Sequence, residues 1–514
     1  CHLRTMRPVV LLLWMVVLPG VRAQTAVVLH HWSGGLLARE IRVNALLSDP
    51  CDSVRLVVDD DPGFSSPVYS AYMPADTAHG LVAHLHRGGL QPSTHYHYRF
   101  EVAGRVDTTA ANSGRFRTPG EGATSFSFAV GSCNSSGDHP VWQSMRWLQP
   151  DLFIASGDLH YADPVGTDPD VHRTAYLQHV YQHTPVMEFL HDVPLAYVWD
   201  DHDFCGNGSD AQAPGRSAAG RAYRDHVPHY VLANSVAIHQ AFTIGRVHFI
   251  LSDMRATRTP EHMMDSAQHA WLRSELLHAR DSGLIACWVT GLTWNAIDYP
   301  ENWGSQPAER EALGNWLLAN QIKDLFILSG DAHMLAIDDG ANADFSTGQQ
   351  SPYRYPVFQA AALNRGGSYK GGTFNQGGVH PNPGAWIGQF GQVRVEDDGG
   401  DVCITFNGWR TDSMSAAISL VNTYTFCRQL PAVGMPGAEP SAGRAWWQGA
   451  TVHIILPNGA RAEEVEVLDA LGRAHCRTAV ASADGIFNVT CPDRPTGALL
   501  VRVRCGPRII TLKT

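Results

Sequence analysis

The sequence predicts an α/β protein, with a mostly parallel central sheet and β-rich segments on either side. Three observations carry that expectation. From Ser125 onward, short apolar runs alternate with stretches whose apolar residues recur at helical spacing. Those runs open into Gly, Asp, Asn or His, at the strand ends where open α/β sheets keep their ligand sites. Before residue 120 and after residue 450, by contrast, strand-length runs alternate or run apolar between turn residues.

Taken in order, the chain begins with Arg4 and Arg7, an apolar run from Val9 to Leu18, then Pro19-Gly20 and Val-Arg-Ala before Gln24. This reads as a signal peptide over 1–23, too short to stay as a membrane span. Residues 24–120 read as a β-domain, with strands expected at Ile41 to Leu47, Val54 to Val58, Leu81 to Leu85 and Tyr96 to Val102. Residues 124–428 form the α/β unit. Phe126 to Val130 runs into Gly131-Ser132-Cys133, and Val141, Trp142, Met145 and Leu148 then repeat as on a helix. Leu152 to Ala155 is a buried strand ending at Ser156-Gly157-Asp158, with Tyr161 three residues beyond. One long helix is expected from Val171 to Leu190, before the strand Leu195 to Trp199 and the run Asp200-Asp201-His202-Asp203.

Val247 to Leu251 leads to Asp253-Met254-Arg255, and Asp265 with Gln268 forms the signature of a capping box for a helix stopped by Gly283. Ala286 to Val289 precedes Trp294-Asn295, and Leu325 to Ser329 opens into Gly330-Asp331-Ala332-His333. A glycine-rich stretch with interleaved aromatics, 366–391, reads as an ordered surface loop. Two closing strands are expected at Gln392 to Val395 and Val402 to Trp409. Pro, Gly and Ala dominate 429–449, which reads as a tether, and 450–514 returns to β.

Bulk properties narrow the classes. A chain of 514 residues exceeds one ordinary core, and 44% hydrophobic with 17% charged residues is globular. A net charge of -11 without any Lys/Arg block argues against a nucleic-acid-binding surface. Export permits disulfides. Nine of the 10 cysteines lie beyond the leader, and eight are left for pairing if Cys133 binds a metal. Their connectivity stays open, although Cys403 and Cys427, and Cys476 and Cys491, are close in sequence.

The polar strand ends supply Cys133, Asp158, Tyr161, Asp201, His202, Arg255, Asn295, Asp331 and His333. Thiolate, phenolate, carboxylate and imidazole together suit a highly charged cation such as Fe(III) beside a harder divalent ion. His202 can hydrogen-bond or protonate a departing group, and Arg255 can fork onto an anionic oxygen or pair with neighbouring Asp253. Asp200 suits a turn cap, Asp203 suits orienting His202, and Trp294 and Asn295 suit a pocket wall. The histidines of the β-domain, His30, His31, His84, His86, His95 and His97, read as strand residues rather than a second metal site.

With these motifs in hand, residues 125–427 resemble the PhoD-like alkaline phosphatase family of metallophosphoesterases. The resemblance rests on Gly131-Ser132-Cys133, Gly157-Asp158 with Tyr161, the Asp200–Asp203 run, Asp253 with Arg255, and the stretch Ser329 to His333. It implies a four-layer αββα core and hydrolysis of small phosphate mono- or diesters by a metal-activated hydroxide. It also implies an iron set of Cys133, Asp158, Tyr161 and His333, and a calcium set of Asp158, Asp201 and Asp331, with Asp158 as the bridge. Asp203-Phe204-Cys205 departs from the family's usual continuation of the third motif. The segment through Gly114-Arg115-Phe116 resembles a fibronectin type III-like sandwich. The tail resembles a type IX secretion sorting domain, which implies passage through outer-membrane machinery to the medium or the cell surface. A nucleotide- or phospholipid-specific phosphodiesterase on the same fold, and an inactive surface-binding protein, are the alternative expectations.

Overall fold

The computed structural model describes residues 26–430 apart from 298–300, 349–350 and 382–387. It also describes 444–448, 451–456, 462–469, 474–479, 486–491, 499–505 and 508–513 of the tail. The expected leader and most of the expected tether lie outside the described residues. Among the described residues, no helix is long and apolar enough to cross a membrane.

Two large sheets build the center. The first runs in the order Ile418–Gln429, Asp401–Thr411, Gly388–Asp397, Phe126–Gly131, Leu152–Ser156, Leu195–Val198, Val28–Leu37, Glu40–Leu47, Val82–Gly88. The second runs Gln240–Ile244, Val247–Leu251, Ile285–Val289, Leu325–Ser329, Val357–Ala360, Leu335–Asp338, Gln376–Val379. Their middle strands are parallel, as at Phe128↔Leu152, Phe153↔Leu195, Val247↔Ile285 and Ala286↔Leu325.

The continuous apolar runs of these strands follow from burial on both faces. In Ile285–Val289, for example, Ile285, Cys287 and Val289 join the core between the sheets, while Ala286 and Trp288 join a second core with Trp271, Leu272 and Leu276. Those last three lie on the helix Ser266–Asp281, which covers the outer face. Phe128 meets Phe249 across the sheets at 5.3 Å, and Phe358 stacks on Phe406 at 4.7 Å. The helices Val141–Trp147 and Thr184–Asp192 carry residues into the core of the first sheet. The layering is thus helix, sheet, sheet, helix.

Two expectations need correction. The helix expected over 171–190 is interrupted: Pro169–Tyr176 runs into a π-helical turn, Leu177–Tyr181, and a fresh helix starts at Thr184–Asp192. Pro185 explains the restart, because it has no N–H to continue the earlier ladder and is tolerated in a first turn. The second concerns the boundary near residue 120, which the sheet crosses. Val28–Leu37 pairs in parallel with Leu195–Val198 through Gly34↔Leu195. A Cβ on Gly34 would lie 2.2 Å from the Pro228 carbonyl oxygen, so only glycine allows this approach. The N-terminal strands Val28–Leu37, Glu40–Leu47 and Val82–Gly88 therefore continue the central sheet, and Ile41, Val43, Leu56, Val58 and Phe100 share a core of their own.

The tail comprises a three-stranded and a four-stranded sheet around Val452, Ile454, Val465, Val467, Val501 and Val503. A disulfide joins Cys476 to Cys491, and another joins Cys403 to Cys427 across paired strands. Cys51, Cys133, Cys205, Cys287 and Cys505 are free thiols.

Candidate metal centre

The strand ends turn sharply where the sequence motifs lie. Cys133, Asp158 and Asp331 all have left-handed backbones, with φ of 61°, 50° and 64°. This conformation costs a non-glycine residue roughly 1–2 kcal/mol. The loops hold one another in place: the Cys133 amide donates to the Gly157 carbonyl at 3.3 Å, and the Asn134 amide to the Asp158 carbonyl at 2.8 Å. Gly330, on the second sheet, comes so close to the first that a Cβ there would sit 2.5 Å from the Ser156 carbonyl oxygen and 2.8 Å from Ser132 Oγ. Motifs nearly 200 residues apart thus meet between the two sheets.

Asp158, Asp201 and His202 form the center of this meeting point, with one ligand atom of each lying within 4.8 Å of the others. Burial, reinforced by Asp201, Asp200, Asp203 and Asp331, drives the Asp158 carboxyl far above its ordinary range. Burial acts the same way on Asp201, but Arg255, His202 and the Gly208 amide outweigh it and leave that carboxyl lowered. The Gly208 amide donates to Asp201 Oδ2 at 2.6 Å.

Next to the acids lies the sulfur, phenol and imidazole group. Cys133 Sγ is 3.7 Å from the Asp331 carbonyl oxygen, and the Tyr161 hydroxyl is 3.3 Å from His333 Nε2. Burial first, then Asp158, raises both the Cys133 thiol and the Tyr161 phenol. Burial lowers His333 to about 4, and its Nδ1 is held by the Gly366 carbonyl at 3.1 Å. Such groups give up their protons when a cation takes them as ligands. The buried Oδ2 atoms of Asp200 and Asp331 have no hydrogen-bond partner, which also suits a cation. The donor set fits a metal.

Several neighbors differ from the sequence expectations. Arg255 is fully buried, and its guanidinium pairs with Asp200 through Nε and approaches Asp201 Oδ1 at 3.6 Å. Asp253, its expected ion-pair partner, instead accepts from the Trp199 indole and from the amides of Ile238, Arg255 and Ala256. Gln268 completes that support by accepting from the Asp253 amide, so only the Asp265 half of the capping box forms. Asp203 does not orient His202: it accepts from the Tyr197 hydroxyl and from the amides of Leu159 and Asp200, and burial lifts it to about 8. Asp163 takes that role, with Oδ1 2.6 Å from His202 Nδ1. Trp294 lies within the aromatic core beside Trp288 and Trp303 rather than on a pocket wall, while Asn295 donates to the Thr373 carbonyl.

Sequence reasoning missed Asp163, Lys370 and Arg365. Asp163 stands five residues after Asp158, in an irregular segment where spacing carries no signal. Lys370 pairs with Asp331 Oδ1 at 2.5 Å, and Arg365 lies 4.5 Å over the Tyr161 ring; Lys370 comes from the glycine-rich stretch, which has no periodicity to read, and Arg365 immediately precedes it.

Residues 126–373 match the family model for PhoD-like phosphatase. Alkaline phosphatase D of Bacillus subtilis (strain 168) is 23% identical over 310 residues, covering 49% of this chain and 53% of that protein. The chain therefore matches about half the length of this curated relative. The solved structure of PhoD superposes with a TM-score of 0.62 at 17% identity, covering 80% of this chain and 93% of that one. Purple acid phosphatase PPD1 from yellow lupin (Lupinus luteus) seeds gives 0.52 at 12% identity, covering 78% and 74%. At these identities the structural likeness is one of fold.

Proposed function

With residues 126–373 matching the PhoD-like phosphatases, we propose that this protein is an exported, metal-dependent hydrolase of small phosphate mono- and diesters. One observation carries the reading: Asp158, Asp201 and His202 converge within 4.8 Å, between two sheets of a phosphatase-like fold. Cys133, Asp158, Tyr161 and His333 would hold Fe(III), and Asp158, Asp201 and Asp331 would hold Ca(II). Five buried acids, Asp158, Asp200, Asp201, Asp203 and Asp331, outnumber the buried cationic side chains beside them, Arg255, Arg258 and Lys370, which supports a need for further positive charge. Such cations supply Lewis-acid polarization of the phosphoryl oxygens and acidify water for in-line attack.

The chain's own residues do the rest. Asp163 fixes the His202 ring through Nδ1, which leaves Nε2 to carry a proton to the departing ester oxygen. Arg255 acts as a positioning residue, holding Asp200 and Asp201 in place from behind. The left-handed turns at Cys133, Asp158 and Asp331 aim their side chains before any substrate arrives. The N-terminal leader and the β-rich tail are proposed as the export signals.

The test is to assay purified protein on p-nitrophenyl phosphate and its bis ester, with elemental analysis and a visible spectrum. Turnover, bound iron and calcium, and a phenolate-to-iron band that disappears in Tyr161→Phe are expected. Metal-loaded protein that hydrolyzes neither ester overturns the reading, and a band that persists in Tyr161→Phe removes that residue from the ligand set.

A further inference from the structure

Lys370 is a buried lysine within a glycine-rich segment, and it is tied to an acid of the candidate center. Its Nζ lies 2.5 Å from Asp331 Oδ1, and the side chain is 7% exposed. A lysine is rarely buried unless a partner fixes it. The surrounding segment is fastened on several sides. The His333 amide donates to the Ser368 carbonyl at 3.0 Å, Tyr369 packs on His380 at 3.9 Å, and His380 Nδ1 lies 3.1 Å from the His333 carbonyl oxygen. Gly372, at φ 119°, lies so close to the 291–297 loop that a Cβ would be 2.9 Å from the Asn295 carbonyl oxygen. Only a residue without a side chain passes there, so the glycines let the segment bring Lys370 down onto the acids.

We propose that Lys370 is a positioning residue with two tasks: it restricts Asp331 to one ligand oxygen, and it receives an anionic oxygen of the substrate's phosphoryl group. The inference rests on the phosphate-ester reading above and deepens it. Asp331 Oδ1 is taken by the ammonium, while Oδ2 is buried and has no hydrogen-bond partner, which leaves a single oxygen for a cation. An ammonium has three N–H donors, so it can serve Asp331 and a phosphoryl oxygen together. Its fixed positive charge, set among Asp200, Asp201 and Asp331, opposes a metal cation and attracts an anion.

The two effects have opposite signs, which makes them separable from a purely structural role. The experiment uses the full chain with its iron retained and its calcium removed by chelation, the neutral near-isostere Lys370→Gln and the charge-keeping Lys370→Arg. Calcium affinity is measured by calorimetry, and inorganic phosphate affinity is measured at saturating calcium. Lys370→Gln is expected to bind calcium about tenfold more tightly and phosphate about tenfold more weakly, with Lys370→Arg recovering most of the phosphate affinity. If both affinities fall together, or phosphate affinity does not change, the inference is overturned. Wild-type protein that binds calcium and phosphate yet hydrolyzes no ester would overturn the functional reading alone, while wild-type protein that binds neither overturns both.

Discussion

Replacing Arg255 with glutamine removes a fully buried guanidinium from between Asp200 and Asp201. At an effective dielectric near 20 and a separation near 4 Å, one such pairing is worth about 4 kcal/mol. That agrees with the roughly 3–5 kcal/mol lost when one partner of a buried ion pair is deleted. Protonation limits the loss, because Asp200 already sits at about 6, raised by burial and held down by Arg255. Without Arg255 it rises further. A carboxyl whose folded value exceeds its unfolded one keeps its contribution at low pH and loses it as pH rises through the folded value. The deficit of Arg255→Gln relative to wild type should therefore be small at pH 5.5 and should grow between pH 6 and 8, by at most about 1.4 kcal/mol per pH unit. Thermal unfolding of the chelator-treated proteins reads this, following the transition of the catalytic unit because a chain of several units does not unfold in one step. A deficit below about 1 kcal/mol at both pH values, or one independent of pH, would refute the assignment of Arg255 as counterion to these acids.

Two further outcomes follow from named contacts. His202→Asn should leave bound metal unchanged on elemental analysis while lowering kcat by about 10²–10⁴-fold, most for esters with poor leaving groups; loss of metal would instead make His202 a ligand, as its place beside Asp158 and Asp201 allows. His226 and His239 are held at about 3 and His31 well below its usual value, each chiefly by burial. Unfolded histidine takes up its proton from about pH 6.5, so this stability is present above that pH and lost as pH falls toward 3, about 2 kcal/mol per histidine by pH 5. His239→Leu should flatten the dependence of urea stability on pH between 5 and 7 by about one proton, and an unchanged slope would show that His239 is not neutral in the folded chain.

Reading the fold from the sequence worked where one physical constraint decided the pattern. Leu152–Ser156 and Leu325–Ser329 are buried on both faces, so their apolar runs are continuous and their polar ends stand out. Val28–Leu37 contains His30, His31 and two glycines, and it is a strand because it pairs along its length with Glu40–Leu47 and at Gly34 with Leu195. Gln240–Ile244 and Ile418–Gln429 lie at sheet edges, where one-sided pairing weakens the periodic signal. At the site, the acids and the cysteine could be found because they follow strand ends. Their partners could not: Lys370 reaches Asp331 across 39 residues of largely aperiodic loop, and Arg255 reaches Asp200 across the gap between two sheets.

That gap connects the fold to the chemistry. Cys133, Asp158 and Asp201 follow strands of the first sheet, whereas Arg255, Asp331 and His333 follow strands of the second. The halves meet because Phe128, Phe249, Phe358 and Phe406 pack between the sheets and because Arg246 forks onto Asp397 across them at 2.5 and 2.7 Å. Backbone hydrogen bonds also tie the halves, the Leu363 amide donating to the Ser132 carbonyl at 2.8 Å and the Gln389 amide to the Ala362 carbonyl at 2.9 Å, so side-chain packing and backbone bonds together set the geometry of the center. Packing defects of even one methylene are felt in such an interior, and a shift of about 1 Å is enough to misplace reacting groups. A cation held by residues of both halves would add its binding energy to the packing of the two sheets.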